Sequence, residues 1–129
     1  MNSEKEKSIL TLSDIIDNPV KTLKIKGVGI VKIRDPTVKD RLEAKEFLLS
    51  LQGYKDMTDM EKGLEEQKLI ALKMLVEPKI SFEDYKECNE IKILAILDSV
   101  AMEYGKKMKI LTDKRRREID TFLSQMKES

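Results

Sequence analysis

The stretch Asn89-Glu90-Ile91-Lys92-Ile93-Leu94-Ala95-Ile96-Leu97-Asp98-Ser99-Val100-Ala101-Met102-Glu103-Tyr104 decides the fold class of this chain. Ile93, Leu97, Val100, Ala101 and Tyr104 recur at i, i+4, i+7, i+8 and i+11, the period of a helix with one apolar face. Asn89 is placed to cap its first turn, and Gly105 stands where a C′ glycine would end it.

Upstream, the same logic yields more helices. Ser81 with Asp84 caps a short helix around Phe82 and Tyr85. Thr58 with Glu61 forms a capping box for a helix that carries Leu64, Ala71, Leu72 and Leu75 and stops before Pro78. Thr37 with Asp40 opens another, running to about Leu51 with Leu42, Phe47, Leu48 and Leu51 on or near one face, before Gly53 breaks it. Ser13 is placed to cap a short turn through Asp14, Ile15 and Ile16, ahead of Pro19.

Between Val20 and Arg34 the period changes to two. Leu23 and Ile25 alternate with lysines, Gly27-Val28-Gly29 follows, and Val31 and Ile33 alternate with Lys32 and Arg34. This reads as a β-hairpin whose glycines supply a positive-φ turn. A lone hairpin is marginal, so its apolar face must rest on a helix or on another chain's strand.

The reading is therefore mainly α: four to five helices with a small N-terminal β-hairpin at about 20–34. Residues 1–12 read as a flexible N-terminal segment, 13–105 as the helical domain, and 106–129 as a basic segment followed by a C-terminal amphipathic helix. With 129 residues, 40% of them hydrophobic and only 5% aromatic, the chain fits one modest core built of aliphatic side chains and methionine.

The net charge is only +1, which excludes a uniformly basic coat for a polyanion. Its distribution is uneven. Lys106, Lys107, Lys109, Lys114, Arg115, Arg116 and Arg117 face a single acid, Asp113, a local charge of +6 that leaves −5 for the rest of the chain. This basic patch fits nucleic-acid phosphates, an acidic protein partner or a solvated helix surface. No stacking aromatics interleave it. Beyond it, Ile119, Phe122, Leu123 and Met126 form an apolar stripe that fits either a helix on the chain's own core or anchors for a partner's groove.

Catalytic chemistry finds little footing. The chain has no histidine and one cysteine, so the usual zinc sites and the Ser-His-Asp and Cys-His arrangements are out of reach. Nothing near Cys88 in sequence would lower its pKa. No Gly-Lys-Ser or Gly-Lys-Thr follows Gly27-Val28-Gly29, which excludes a phosphate loop. The acidic clusters Glu61/Glu65/Glu66 and Glu83/Asp84/Glu87 lack calcium-loop spacing and suit helix N-terminal turns. We expect no enzyme, no cofactor and no metal. With no apolar run of membrane-spanning length and no signal-peptide pattern, we expect a reducing cytoplasm and no membrane partner.

Three segments together resemble a known family. They are the hairpin leading into Val31-Lys32-Ile33-Arg34-Asp35-Pro36-Thr37-Val38-Lys39-Asp40; Leu75-Val76-Glu77-Pro78-Lys79-Ile80-Ser81-Phe82-Glu83-Asp84-Tyr85; and the amphipathic helix from Ile91 to Tyr104. In this order and size, over residues 20 to 104, they resemble the tail assembly chaperones of long-tailed bacteriophages and proviruses. The resemblance implies a viral protein acting in the host cytoplasm. It would keep the long helical tape measure protein soluble and help tail tube protein polymerise around it, with self-association left open. It carries no motif of functional residues, and the basic segment is not part of it. Two other readings stay open: a nucleic-acid-binding accessory protein using residues 106–117, and a structural tail or capsid subunit whose hairpin extends a neighbour's sheet. Six methionines in or beside helices (Met57, Met60, Met74, Met102, Met108 and Met126) offer adaptable contacts, with at least half expected to fill core gaps.

Overall fold

The computed structural model describes residues 9–128, with the side chains of 127 and 128 left aside. The N-terminal residues 1–8, expected to be flexible, lie outside the described residues. Among the described residues, five α-helices, one 3-10 turn (Tyr54–Asp56) and a three-stranded antiparallel sheet form the fold. In order the helices and strands are α1 (Leu12–Ile16), β1 (Lys21–Ile25), β2 (Gly29–Ile33), α2 (Val38–Ser50), α3 (Asp59–Met74), β3 (Leu75–Glu77), α4 (Phe82–Glu87) and α5 (Glu90–Glu128). The mainly-α expectation with an N-terminal hairpin holds.

The hairpin forms as expected. Leu23 pairs with Val31, and Ile25 with Gly29. Gly27 at φ 79° and Gly29 at φ 147° take backbone conformations that side chains resist. Alternation puts Leu23, Ile25, Val31 and Ile33 on one face, and all but the partly buried Leu23 are buried. That face rests on the chain's own helices, in one cluster with Ala71, Leu72 and Met74 of α3 and Ile93, Leu97 and Val100 of α5.

Capping geometry fixes the helix starts. Thr37, Thr58 and Ser81 each accept a hydrogen bond from the backbone N–H three residues on, and the acid there accepts one from the cap residue's own N–H. Asn89 Oδ1 accepts from Lys92 N–H at 3.0 Å and opens α5. At α1 the cap is Thr11 and not Ser13. Asp14 stands three residues after Thr11 and bonds back to its N–H at 3.0 Å, whereas Ser13 would find only Ile16 there. Thr11 thus ties the last residues of the supposed flexible segment to α1.

Three other sequence readings need correction. The end of the α3 pattern is a strand: Leu75 pairs with Ile33 and Glu77 with Lys32, so the sheet runs β1-β2-β3. Pro78 biases Glu77 away from helix, and the unpaired edge of β2 captures the extended residues. Leu42 and Leu64, read as part of the apolar spacing of their helices, are exposed. Ala44 and Leu48 carry the face of α2 into a second cluster with Leu69 and Ile70, and α3 lies between the two clusters.

The largest correction concerns Gly105. It does not end a helix, because α5 continues unbroken for 39 residues. A helical glycine costs only about 1 kcal/mol relative to alanine, and no further glycine or proline follows it. The basic segment and the terminal stripe therefore belong to the same helix as the core-packing Ile93, Leu97 and Val100.

Candidate interaction surface

Two ion pairs mark where α5 leaves the body. Lys21 of β1 meets Glu103 at 3.2 Å, and Lys107 meets Asp35, between β2 and α2, at 2.7 Å. Asp35 is itself held by Asn18, whose side chain bonds both its N–H and its carbonyl at 2.9 Å. From residue 108 to 126 every residue except Asp113 is exposed. At about 1.5 Å per residue this exposed length extends roughly 30 Å.

The stripe Ile119, Phe122, Leu123 and Met126 lies on this exposed length, each side chain between 49% and 61% exposed. It is not packed on the chain's own core. Once α5 is seen as one helix, an eleven-residue recurrence emerges. Ile93, Tyr104, Arg115 and Met126 form one rank; Leu97, Met108 and Ile119 a second; Val100, Leu111 and Phe122 a third. Eleven residues run only slightly past three helical turns, so the three ranks trace a single, almost straight stripe. Its beginning is buried, with Ile93, Leu97 and Val100 at 5% exposure or less. Its continuation through Met108, Leu111, Ile119, Phe122 and Met126 is exposed. Met108 and Leu111 were missed as surface residues because a helix break at Gly105 hid the recurrence that joins them.

The basic residues do not gather on one face. Lys106 pairs with Glu103 at 3.6 Å and Lys107 with Asp35. Lys114, Arg115, Arg116 and Arg117 are consecutive, and about 100° per residue spreads them around the helix.

A groove of about 860 Å³ opens between α2, the end of α3 and the β3–α4 segment, with Phe47, Val76 and Phe82 among its walls. Two of its acids, Asp40 and Glu43, are engaged. Arg34 grips Asp40 through two nitrogens, at 2.6 and 3.1 Å, and Lys73 pairs with Glu43. Burial pushes the Asp40 carboxyl up, but the Arg34 hydrogen bond and the bonds from Thr37 together outweigh it and leave the pKa lowered. The Lys73 hydrogen bond likewise lowers Glu43. Neither carboxylate is poised to exchange protons near neutral pH.

Among the described residues, no group of three or more acids and cysteines is arranged to hold a metal ion. In the acidic clusters, Glu61 and Asp84 serve their caps, Glu65 pairs with Lys68 and Glu66 with Arg41. Cys88 is partly buried at the end of α4, where its thiol donates to the Asp84 carbonyl at 3.3 Å. Cys88→Ser should keep that bond and shift stability by no more than about 0.5 kcal/mol. A thermal melt checks this, and a large loss would give the thiol a structural weight that the geometry denies it.

Among the described residues, no helix is long and apolar enough to cross a membrane. No family model, curated protein or solved structure matches the chain.

Proposed function

We propose that this chain is a tail assembly chaperone, a non-catalytic binding protein that holds an apolar helical tape measure protein in solution while tail tube subunits assemble around it in the host cytoplasm. The observation that carries the reading is the stripe of α5. Ile119, Phe122, Leu123 and Met126 stand at i, i+3, i+4 and i+7, the spacing of anchors for a helical or grooved partner, and all four are exposed. Methionine supports it too. Met74 is buried and Met57 partly buried, but Met60, Met102, Met108 and Met126 are exposed, more than the gap-filling expectation allowed. Exposed methionines suit a client surface without fixed shape.

The rival is nucleic-acid binding through residues 106–117, which are also largely exposed. Co-expression with a candidate tape measure protein separates the two, scored by soluble client beside a DNA titration. Phe122→Ala with Leu123→Ala should remove most client solubilisation, because buried anchors dominate interface energy. Arg115→Gln, Arg116→Gln and Arg117→Gln should matter less to the client. In a nucleic-acid binder those arginine changes would instead abolish most affinity and flatten the salt dependence by up to about three units of slope. Salt-sensitive DNA binding lost with the arginines, and a client indifferent to the apolar pair, would refute the chaperone reading.

A further inference from the structure

We propose that α1 of one copy of this chain packs on the outer sheet face of a second copy, which returns the same contact with its own α1. Between Ile9 and Ile16 stand five aliphatic side chains, Ile9, Leu10, Leu12, Ile15 and Ile16, and each is at least 64% exposed. Leu12, Ile15 and Ile16 share one side of α1, at i, i+3 and i+4. A five-residue helix does not persist in water on its own hydrogen bonds; packing has to hold it. Yet this one is set firmly in place. The Thr11–Asp14 capping box closes its start, and Asn18, just past its C-cap Asp17, clasps Asp35 of the body through two bonds of 2.9 Å.

The chain also carries a surface that suits it. Thr22, Lys24, Ile30 and Lys32 alternate with the core-facing residues of the hairpin and are exposed, Ile30 at 66%. Residues 21–34 hold five bases and no acid. Lys32 pairs with Glu77 at 3.4 Å, but among the described residues Lys24, and Lys26 at the hairpin turn, are in no ion pair. Residues 9–17 hold Asp14 and Asp17 and no base. An acidic apolar helix thus matches a basic sheet face on which Ile30 is bare. The groove beside Phe47 and Phe82 is a poorer match, since its four bases and three acids nearly balance.

Within one chain the two surfaces do not meet: Leu12, Ile15, Ile16 and Ile30 are all between 66% and 72% exposed. A reciprocal exchange about a twofold axis covers both surfaces on both copies and closes, whereas a one-way contact leaves one of each bare and propagates. The exchange uses nothing on the exposed stretch of α5, so it goes beyond the client reading and does not depend on it.

Sedimentation equilibrium of the purified full chain tests the exchange, and a concentration-dependent monomer–dimer equilibrium is expected. Ile15→Asp with Ile16→Asp should weaken the dimer by at least about tenfold, and so should Ile30→Glu, since each variant loses both contacts when it pairs with itself. Mixed together, the two variants should associate more tightly than either does alone, because the intact α1 of one still finds the intact sheet of the other. Phe122→Ala with Leu123→Ala should leave the dimer unchanged. Thermal melts should show every variant folded: the altered side chains lie outside the core, and Ile30→Glu sets its carboxylate opposite Lys24. If Ile30→Glu still melts early, Ile30→Thr removes the apolar contact while keeping a good strand former. A chain monomeric at all concentrations would overturn the proposal, as would a dimer unmoved by either variant or assemblies that grow beyond the dimer. A mixture no tighter than its components would do the same, and loss of the dimer with the Phe122 and Leu123 changes would move the interface to α5.

Discussion

Replacing Ile33 with alanine should lower the free energy of unfolding by about 2–4 kcal/mol, a large share of the stability of a chain this size. Ile33 is 1% exposed and sits where all parts of the main core converge. It lies on the central strand, opposite Lys21 of β1 and Leu75 of β3, and shares a cluster with Leu72, Met74, Leu97 and Val100. Truncation removes three carbons and leaves a cavity, because the strand is pinned on both sides and cannot collapse into the space. Urea melts read the effect as a lower midpoint at unchanged slope. The comparison is Phe122→Ala with Leu123→Ala, whose side chains are 61% and 49% exposed and which should each move stability by no more than about 0.5 kcal/mol. If Ile33→Ala left the midpoint unchanged, the hairpin face would belong to a partner and not to the core. If the Phe122 and Leu123 variants unfolded the chain, the stripe of α5 would be core after all.

The sequence was most legible where structure is local. Thr37, Thr58, Ser81 and Asn89 announce their helices because a cap and its third residue lie within one turn. The hairpin was readable for the same reason, its register set by two glycines and a period of two. Residues 75–77 resisted because their strand depends on pairing with β2, more than forty residues earlier, and no local pattern reports that. Gly105 misled in another way. A glycine weakens a helix by an amount that favourable neighbours on both sides readily outweigh, so its presence alone does not fix an end. That one boundary hid how the candidate stripe continues the core-packing face: cut at 105, α5 reads as an unrelated core helix and a short tail. Asp40 was visible as a cap residue, but its pairing with Arg34, six residues earlier, depends on how residues 35–37 turn between β2 and α2.

Arg34→Met should cost about 3 kcal/mol at neutral pH, and the cost should shrink in acid. The Asp40 side chain is 5% exposed, while that of Arg34 keeps 27% of its surface in contact with solvent. Methionine retains much of the arginine's stem but leaves the carboxylate without its countercharge, the situation in which breaking a buried pair is most damaging. The bond that the Thr37 N–H donates to the Asp40 carboxylate at 2.9 Å and the one that the Asp40 N–H donates to the Thr37 hydroxyl at 3.1 Å survive, which holds the loss to the lower end of the usual range. The pH dependence follows from proton linkage. In the native chain the Asp40 pKa is lowered, since burial, which raises it, is outweighed by Arg34 and Thr37. The unfolded chain therefore binds the proton more readily. The stabilisation from the pair is complete above the ordinary aspartate pKa of about 3.9 and is lost as the pH falls below it through the lowered folded value. In Arg34→Met the folded pKa moves back up, so this acid-side loss fades and the two proteins converge in stability towards pH 3. Urea melts of both at pH 7 and near pH 3 measure the gap directly. An equal gap at the two pH values would show that the guanidinium holds Asp40 by packing alone and not by charge.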